Sequence, residues 1–210
     1  MEKAIKFRRE LLDWSQGRTR DFPWRDRNAS FYEIFVSEFF LSRTRAKVVA
    51  RVIPEFLDAF PDMAAIHRAD QEDIAEVIRP MGMQHRRSEA LKEIAETLDG
   101  ADLPRDADEL QELPRVGEYV ANATLCFALN ESLHISDTNV DRIFSRLLGE
   151  AWPDNTPEKV DLLKDLVPPD DSRQYNLALL DFGAEVCTAR SPRCENCFAS
   201  SYCSYYQEGG

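Results

Sequence analysis

Four cysteines near the end of the chain have the residue type and spacing of metal ligands. They fall within the last 24 residues in the pattern C-x6-C-x2-C-x5-C, formed by Cys187, Cys194, Cys197 and Cys203. The N-terminus is charged from Glu2 onward and resembles no signal peptide, so we expect a reducing compartment, where clustered thiols bind metal rather than form disulfides. Four thiolates without histidine suit either a tetrahedral zinc ion or a cubane iron–sulfur cluster. Zinc ribbons usually pair two C-x-x-C units, and this pattern contains one.

Two carboxylates stand where they could assist catalysis. Glu38 lies within the strongly apolar segment 35–41. A carboxylate in such surroundings either faces a polar cleft or is kept protonated by burial, which would suit a general acid. The alternative is a surface glutamate on the one solvent-exposed face of the helix. Asp137 precedes a predicted helix, which it or Thr138 could cap, and capping alone is the simpler interpretation of this residue.

A tight turn at residues 113–117, LPRVG, precedes a predicted helix from Glu118 to Leu129. Gly117 lets the backbone approach a ligand closely, and the first turn of the following helix offers free N–H groups. Such a helix start favours anions, and phosphate is the natural anion for repeated backbone contacts. The apolar spacing within the helix predicts one buried face. The simpler alternative is that Gly117 merely ends a loop.

Taken together, these features resemble the endonuclease III superfamily of DNA glycosylases. That family has a hairpin L-P-G-V-G, followed by an aspartate in D-x-N-V-x-R, and a [4Fe–4S] loop with the same cysteine spacing. The corresponding segments here are residues 113–117, residues 137–142 and the four cysteines. Arg115 departs from the family pattern, since it replaces the first hairpin glycine. The resemblance implies a [4Fe–4S] cluster held by the four cysteines.

The resemblance also implies roles for individual residues. Asp137 and Glu38 would be catalytic, and Tyr119 occupies the position where strand-cutting relatives carry a Schiff-base lysine. No lysine occurs between Lys92 and Lys159, so we expect a monofunctional glycosylase with weak or absent lyase activity. The expected DNA contacts are Ser42, Arg43, Arg115, Val116, Gly117 and Asn139.

The segment Ser42–Thr44 resembles that of archaeal-type thymine mismatch glycosylases. The chain also ends seven residues after Cys203, without the further domain of adenine glycosylases. We therefore expect removal of thymine or uracil opposite guanine. The first alternative is an adenine glycosylase acting opposite 8-oxoguanine or guanine. The second, a non-catalytic lesion-binding iron–sulfur protein, is disfavoured because Asp137 and Glu38 are both present.

No alternating strand-like run occurs, so the predicted fold is all-α. Helices are expected over residues 1–16 and about 30–44, among others. The resemblance implies a six-helix barrel module over residues 22–134 that contains a helix–hairpin–helix at 113–129. A second helical module would comprise residues 1–21 and 135–210 and be closed by the cluster loop.

The composition limits the possible binding partners and the cellular location of the protein. The chain has 210 residues, is 43% hydrophobic and carries a net charge of −12, with 6 lysines and 20 arginines. The chain contains no run of about 18 apolar residues, which is the length that would predict a membrane span. We expect a monomer in the cytoplasm, associated with the nucleoid through double-stranded DNA that contains a mismatched or damaged base. The acidic, lysine-poor composition suggests the hypothesis of a high-salt cytoplasm.

Overall fold

The computed structural model describes all residues, 1–210, and confirms the all-α prediction. The twelve α-helices are α1 Glu2–Ser15, α2 Phe31–Leu41, α3 Ala46–Ala59, α4 Met63–Arg68, α5 Gln71–Ile78, α6 Gln84–Thr97, α7 Ala107–Glu112, α8 Glu118–Leu129, α9 Thr138–Leu148, α10 Thr156–Leu166, α11 Ser172–Glu185 and α12 Ser204–Gln207. Short 3-10 helices lie at Pro23–Arg25, Arg79–Met81, Gly149–Ala151 and Cys194–Asn196. None of these helices has the length and apolar character that crossing a membrane requires.

The chain divides into two compact units. One comprises Met1–Arg20 and Asn130–Gly210, and the other comprises Asp21–Leu129. The second boundary therefore lies five residues before the position expected from the sequence. Asn130 explains this difference, because its side chain accepts a hydrogen bond from the Arg173 N–H and its carbonyl accepts one from the Ser172 hydroxyl, both 3.0 Å long. These contacts attach residue 130 to the start of α11, some 40 residues further along the chain.

The centre of the Asp21–Leu129 unit is formed by α2 packed against α8. Helix α2 begins at a capping box, in which the Ser30 side chain accepts the Glu33 N–H and the Glu33 carboxylate accepts the Ser30 N–H. In α8 every residue from Val120 to Phe127 is buried. The expectation of a single buried face was therefore wrong for α8. A helix that is apolar on all sides is stable only when neighbours surround it.

Helix α2 ends at Leu41, three residues before the predicted end. The Ser42 hydroxyl donates a hydrogen bond to the Phe39 carbonyl at 2.8 Å. A serine side chain bonded in this way competes with the helical backbone pattern. Residues 42–44 consequently form a turn that follows the helix.

The other unit has an aromatic core, in which α1 packs on α9 and α11. Phe7 of α1 lies 5.3 Å from Phe182 and 5.4 Å from Phe198, measured between ring centroids. Phe144 of α9 adds an edge-on contact with Phe7 at 6.0 Å. The edge-to-face pairs that Phe7 forms with Phe182 and Phe144 add to the stabilisation from burial alone. This core holds α9 and α11 side by side. It thereby positions Asp137, which precedes α9, and Cys187, which follows α11.

Candidate active site and cysteine cluster

Asp137 is the N-cap of α9, and its carboxylate is held by three N–H donors. Its Oδ1 atom accepts the backbone N–H groups of Asn139 and Val140, each at 2.8 Å, and its Oδ2 atom accepts the Asn139 side-chain amide at 2.6 Å. Hydrogen bonds to both oxygens fix the orientation of the carboxylate. The side chain remains only half-buried, so a ligand can still reach it.

A chain of hydrogen bonds supports Asp137 from behind. The Asn139 side-chain oxygen accepts a hydrogen bond from Arg142 Nη2 at 2.9 Å. The same guanidinium donates to the Gly183 carbonyl and, through Nε, to the Cys187 carbonyl, both at 2.9 Å. Sequence reasoning named Asn139 only as a DNA contact and did not assign Arg142 a role. The i, i+3 spacing of these two residues on one helix was the available signal.

Gly183 allows this chain of hydrogen bonds to form. A Cβ atom built on Gly183 would lie 2.9 Å from the Asn139 Cβ and 3.3 Å from the Ile143 Cδ1. Helices α9 and α11 therefore approach more closely here than any larger residue permits. The same close approach brings the Gly183 carbonyl within reach of Arg142.

Glu38 and Tyr119 meet between α2 and α8. The Glu38 side chain is 2% exposed, and the Tyr119 hydroxyl donates a hydrogen bond to Glu38 Oε2 at 3.2 Å. The alternative of a surface glutamate was therefore wrong. The structure brings together these two residues, which are 81 positions apart in sequence. A buried carboxylate with a phenol donor can exchange a proton with a bound group or orient a water molecule.

The hairpin turn places its irregular backbone at Arg115. The Val116 N–H closes the turn on the Leu113 carbonyl at 3.1 Å, and Arg115 has a φ of 62° in the left-handed region. Gly117 has no positive φ, and a Cβ there would have open space within 4 Å. The exposed Gly117 backbone can thus be approached closely by a ligand. Val116 is buried, at 6% exposure, so its side chain supports the turn from inside.

Ser42 and Arg43 border an arginine-rich cavity of about 280 Å³ that also includes Arg86, Arg87 and Arg115. Burial, followed by repulsion from Arg43, lowers the pKa of Arg87. Arg115 is held on the surface by carboxylates of α6, at 2.8 Å from Glu93 Oε2 and 3.3 Å from Glu89 Oε2. Such a concentration of guanidinium groups in an acidic chain suits an anion.

The four predicted metal ligands line one cavity in the other unit. Cys187, Cys194, Cys197 and Cys203 border a cavity of about 30 Å³ beside the aromatic core. All four are free thiols. Burial raises the pKa of Cys197 to about 11, and burial followed by the neighbouring Cys203 and Cys187 raises the pKa of Cys194. These mutual effects are consistent with four thiols that share one cavity.

No group of three or more His, Cys, Asp or Glu side chains is gathered tightly enough to hold a metal ion. Tetrahedral zinc needs four sulfurs about 2.3 Å from one point. The thiols here surround a cavity instead. A donor set of four thiols around an otherwise largely apolar cavity fits an iron–sulfur cluster, whose own atoms span the distance between ligands.

Comparisons with known proteins agree with this architecture. The family model for the HhH-GPD superfamily base excision DNA repair protein matches residues 36–169. The thymine-DNA glycosylase of Aeropyrum pernix is 34% identical over 95% of the chain and 93% of its own length. For the thymine/uracil-DNA glycosylase of Methanothermobacter thermautotrophicus the identity is 33%, over 94% and 91%.

An adenine DNA glycosylase of Mycolicibacterium smegmatis is 38% identical over 95% of the chain, which spans 69% of that relative. The solved structure of a thermostable thymine-DNA glycosylase superposes with a TM-score of 0.92 at 32% identity and covers 99% of this chain and 98% of its own. The predicted general function, a DNA glycosylase of base excision repair, is confirmed. The chain belongs to the HhH-GPD superfamily of base excision DNA repair proteins.

Proposed function

We propose that this protein removes thymine or uracil opposite guanine from double-stranded DNA and leaves the strand uncut. The observation that carries this proposal is the pairing of buried Glu38 with Tyr119 at 3.2 Å. This pair can supply a proton to a departing base, and it contains no amine that could act as a nucleophile. The thymine and thymine/uracil names of relatives matched over nearly their whole length support the choice of base.

The chemistry follows from these groups. A paired base lies inside the duplex, so it must be flipped into a pocket before reaction. When the N-glycosidic bond breaks, the bonding electron pair leaves with the base, and a proton supplied by Glu38 or by a water molecule that it orients neutralises the base. The sugar develops oxocarbenium-like positive charge, which the Asp137 carboxylate stabilises. Water then adds to the sugar carbon, and Asp137 accepts the proton that it loses.

The absence of strand cutting rests on Tyr119. A lyase reaction needs an amine that attacks the sugar and forms a Schiff base. A phenol cannot form that intermediate, and α8 contains no lysine. We therefore propose an abasic site in an intact strand as the product.

The DNA surface that we propose has two parts within the Asp21–Leu129 unit. Next to the exposed Gly117 backbone, the free N–H groups at the start of α8 would bind a phosphate. The arginine-rich cavity beside Ser42 and Arg43 would hold the strand through charge-assisted hydrogen bonds. For Asn139 we propose orientation of Asp137 as the main role, because one N–H of its amide donates to that carboxylate and its amide oxygen accepts from Arg142.

For the cysteines we propose that Cys187, Cys194, Cys197 and Cys203 bind a [4Fe–4S] cluster. The cluster would cross-link a C-terminal segment that has few helical residues beyond α11. Its thiols adjoin Phe7 and Phe182, so it would extend the aromatic core of that unit. This assignment makes the cluster a structural group with no step in base removal.

The test uses end-labelled duplexes with a single G·T, G·U or 8-oxoguanine·A pair, incubated in high salt and then split into samples with and without hot alkali. We expect cleavage at thymine or uracil only after alkali, and none with Asp137→Asn. Borohydride should trap no covalent complex. Cleavage without alkali, or a trapped complex in good yield, would contradict the monofunctional assignment.

A second candidate is removal of adenine, favoured by the 38% identity to the mycobacterial adenine glycosylase. Cleavage only at adenine in the same assay would select it. A lesion-binding protein without activity would cleave none of the three duplexes. We also propose that the protein acts on chromosomal DNA as a monomer, which sedimentation with and without duplex would check.

A further inference from the structure

Arg146 is a second arginine on α9 with an unusual set of partners. Its Nη1 atom donates to the Thr188 carbonyl at 2.7 Å and lies 3.5 Å from the Cys187 sulfur. Its Nη2 atom donates to the Ala189 carbonyl at 3.0 Å. The guanidinium also lies 4.7 Å from the centre of the Tyr205 ring.

The backbone of Arg146 adds a further link to the cysteines. Its carbonyl oxygen accepts a hydrogen bond from the Cys203 thiol at 3.3 Å. Arg146 therefore contacts both the first and the last cysteine of the motif, which are 16 residues apart in sequence. It is half-buried and lines the cysteine cavity.

The geometry of these contacts requires an arginine. Two carbonyls and one sulfur are reached together by a planar fork of N–H donors. A lysine ammonium carries the same charge but cannot span the three acceptors in that arrangement. Arg193 lines the same cavity, but its side chain is exposed and makes no hydrogen bond or ion pair.

We propose that Arg146 is the positioning residue of the cysteine cluster. It holds residues 187–189 so that the Cys187 thiolate faces the cavity, and its hydrogen bond to that sulfur raises the reduction potential of the bound group. This inference rests on the iron–sulfur assignment made above and concerns retention and potential of the cluster. Base removal is assigned to other residues.

Two physical arguments give the expected direction. Residues that hydrogen-bond metal ligands hold them in position, and removing such a residue weakens metal binding by roughly 10- to 100-fold. A positive donor on a ligand sulfur stabilises the more negative, reduced state of a cluster, which raises its potential. Loss of Arg146 should therefore speed release of iron and shift the potential to more negative values.

The experiment compares the wild-type protein with Arg146→Met, Arg146→Lys and the control Arg193→Met, all purified without oxygen. The readouts are iron per chain, visible absorbance, the rate of iron loss to a chelator and the potential by voltammetry. We expect Arg146→Met to lose iron roughly 10- to 100-fold faster and to have a more negative potential. Arg146→Lys should also lose iron faster but show a smaller potential shift, and Arg193→Met should match the wild type.

Iron retention and potential equal to wild type in Arg146→Met would overturn the inference. Circular dichroism checks that this variant folds, and Arg146→Lys provides an independent test if it does not. Excision at G·T is measured in parallel. A wild-type protein that excises thymine but contains no iron would overturn this inference and the iron–sulfur assignment, and would leave the proposed glycosylase activity standing. A protein with iron and no excision would overturn the proposed function alone.

Discussion

Asp137 combines two tasks in one carboxylate, because it caps α9 and is proposed to stabilise the sugar cation. Asparagine caps helices as well as aspartate does, so Asp137→Asn should leave the fold intact. The lost charge should lower single-turnover excision by roughly 100- to 1,000-fold. Rate measurements and thermal melts test both statements.

Asp106 offers a matched control for this variant. It caps α7 through the same pair of contacts, since Oδ1 accepts the N–H groups of Asp108 and Glu109 at 2.9 and 3.1 Å. Asp106→Asn should change neither the stability nor the rate appreciably. An equal loss of activity in the two variants would show that helix capping, and not catalysis, explains the effect at Asp137.

The hydroxyl of Tyr119 donates a hydrogen bond to the buried Glu38 carboxylate at 3.2 Å. Tyr119→Phe removes it and leaves the ring in place. A hydrogen bond to a charged group contributes about 1.5–3 kcal/mol, so excision should slow by roughly 10- to 100-fold. Tyr32→Phe is the control, because the Tyr32 hydroxyl bonds only the Phe60 carbonyl, at 2.7 Å. A slower rate in both variants would contradict a specific role for Tyr119.

At the scale of elements, the contact between α9 and α11 determines where Asp137 lies. In Gly183→Ala the new methyl group would be 2.9 Å from the Asn139 Cβ, so α9 or Asn139 must shift. Overpacking of this kind costs about 1–3 kcal/mol. A displacement near the reacting groups can slow a reaction by roughly 100-fold.

The measurement is excision rate and stability for Gly183→Ala beside Leu163→Val. Leu163 is buried in α10, which packs on α1, so its truncation lowers stability at a position outside α9 and α11. We expect only Gly183→Ala to lose activity at a temperature where both variants are folded. Full activity in Gly183→Ala would show that the spacing of these helices does not position the carboxylate.

Arg115 has two opposing effects on the stability of the hairpin. A left-handed φ costs a residue with a side chain about 1–2 kcal/mol, and Arg115→Gly removes this strain together with the ion pairs to α6. In molar KCl those exposed pairs are screened, so the variant should unfold at a higher temperature than the wild type. Thermal melts at two salt concentrations test this.

The pH dependence of the same variant has a defined sign. The hydrogen bond from Arg115, followed by its charge, lowers the pKa of Glu93 below 4.5. The pair therefore stabilises the native state at neutral pH and is lost as the pH falls through the lowered pKa. Arg115→Gly lacks this pair. The free energy of unfolding of the variant should therefore increase relative to that of the wild type as the pH falls. Glu93→Gln keeps the backbone strain and should be less stable than the wild type at neutral pH.

Sequence patterns predicted those parts of the elements that depend on local chemistry. The helix from Glu118 to Leu129 was placed to the residue, because a glycine turn and an apolar run define its bounds. The sequence offered Asp137 or Thr138 as the N-cap of α9, and the structure shows that Asp137 is the cap. The contacts of Arg142 with Gly183 and Cys187, and those of Arg146 with residues 188–189, were not predicted, since they join residues more than 40 positions apart in sequence. The left-handed backbone of Arg115 was missed because its side chain gives no local sign of it.

At the scale of the whole molecule, the charge of −12 sets a problem for a protein that binds DNA. Most acids lie on the surface, where they repel one another and the phosphate backbone alike. The arginine-rich cavity shows how basic groups can be concentrated locally while the remaining surface stays acidic. Repulsion within the protein falls as the Debye length shrinks from about 10 Å at 0.1 M salt to about 3 Å at 1 M.

The hypothesis of a high-salt cytoplasm therefore predicts that the unfolding temperature rises by several degrees between about 0.1 M and 1 M KCl. A variant with Glu55→Gln, Asp58→Asn and Glu112→Gln serves as the control, because these acids are exposed and make no ion pair. It changes the net charge from −12 to −9 and should show a smaller rise. If the wild type were equally stable at both concentrations, surface repulsion would be unimportant and the acidic composition would need another cause. A rise of equal size in both proteins would point to a general salt effect on apolar burial.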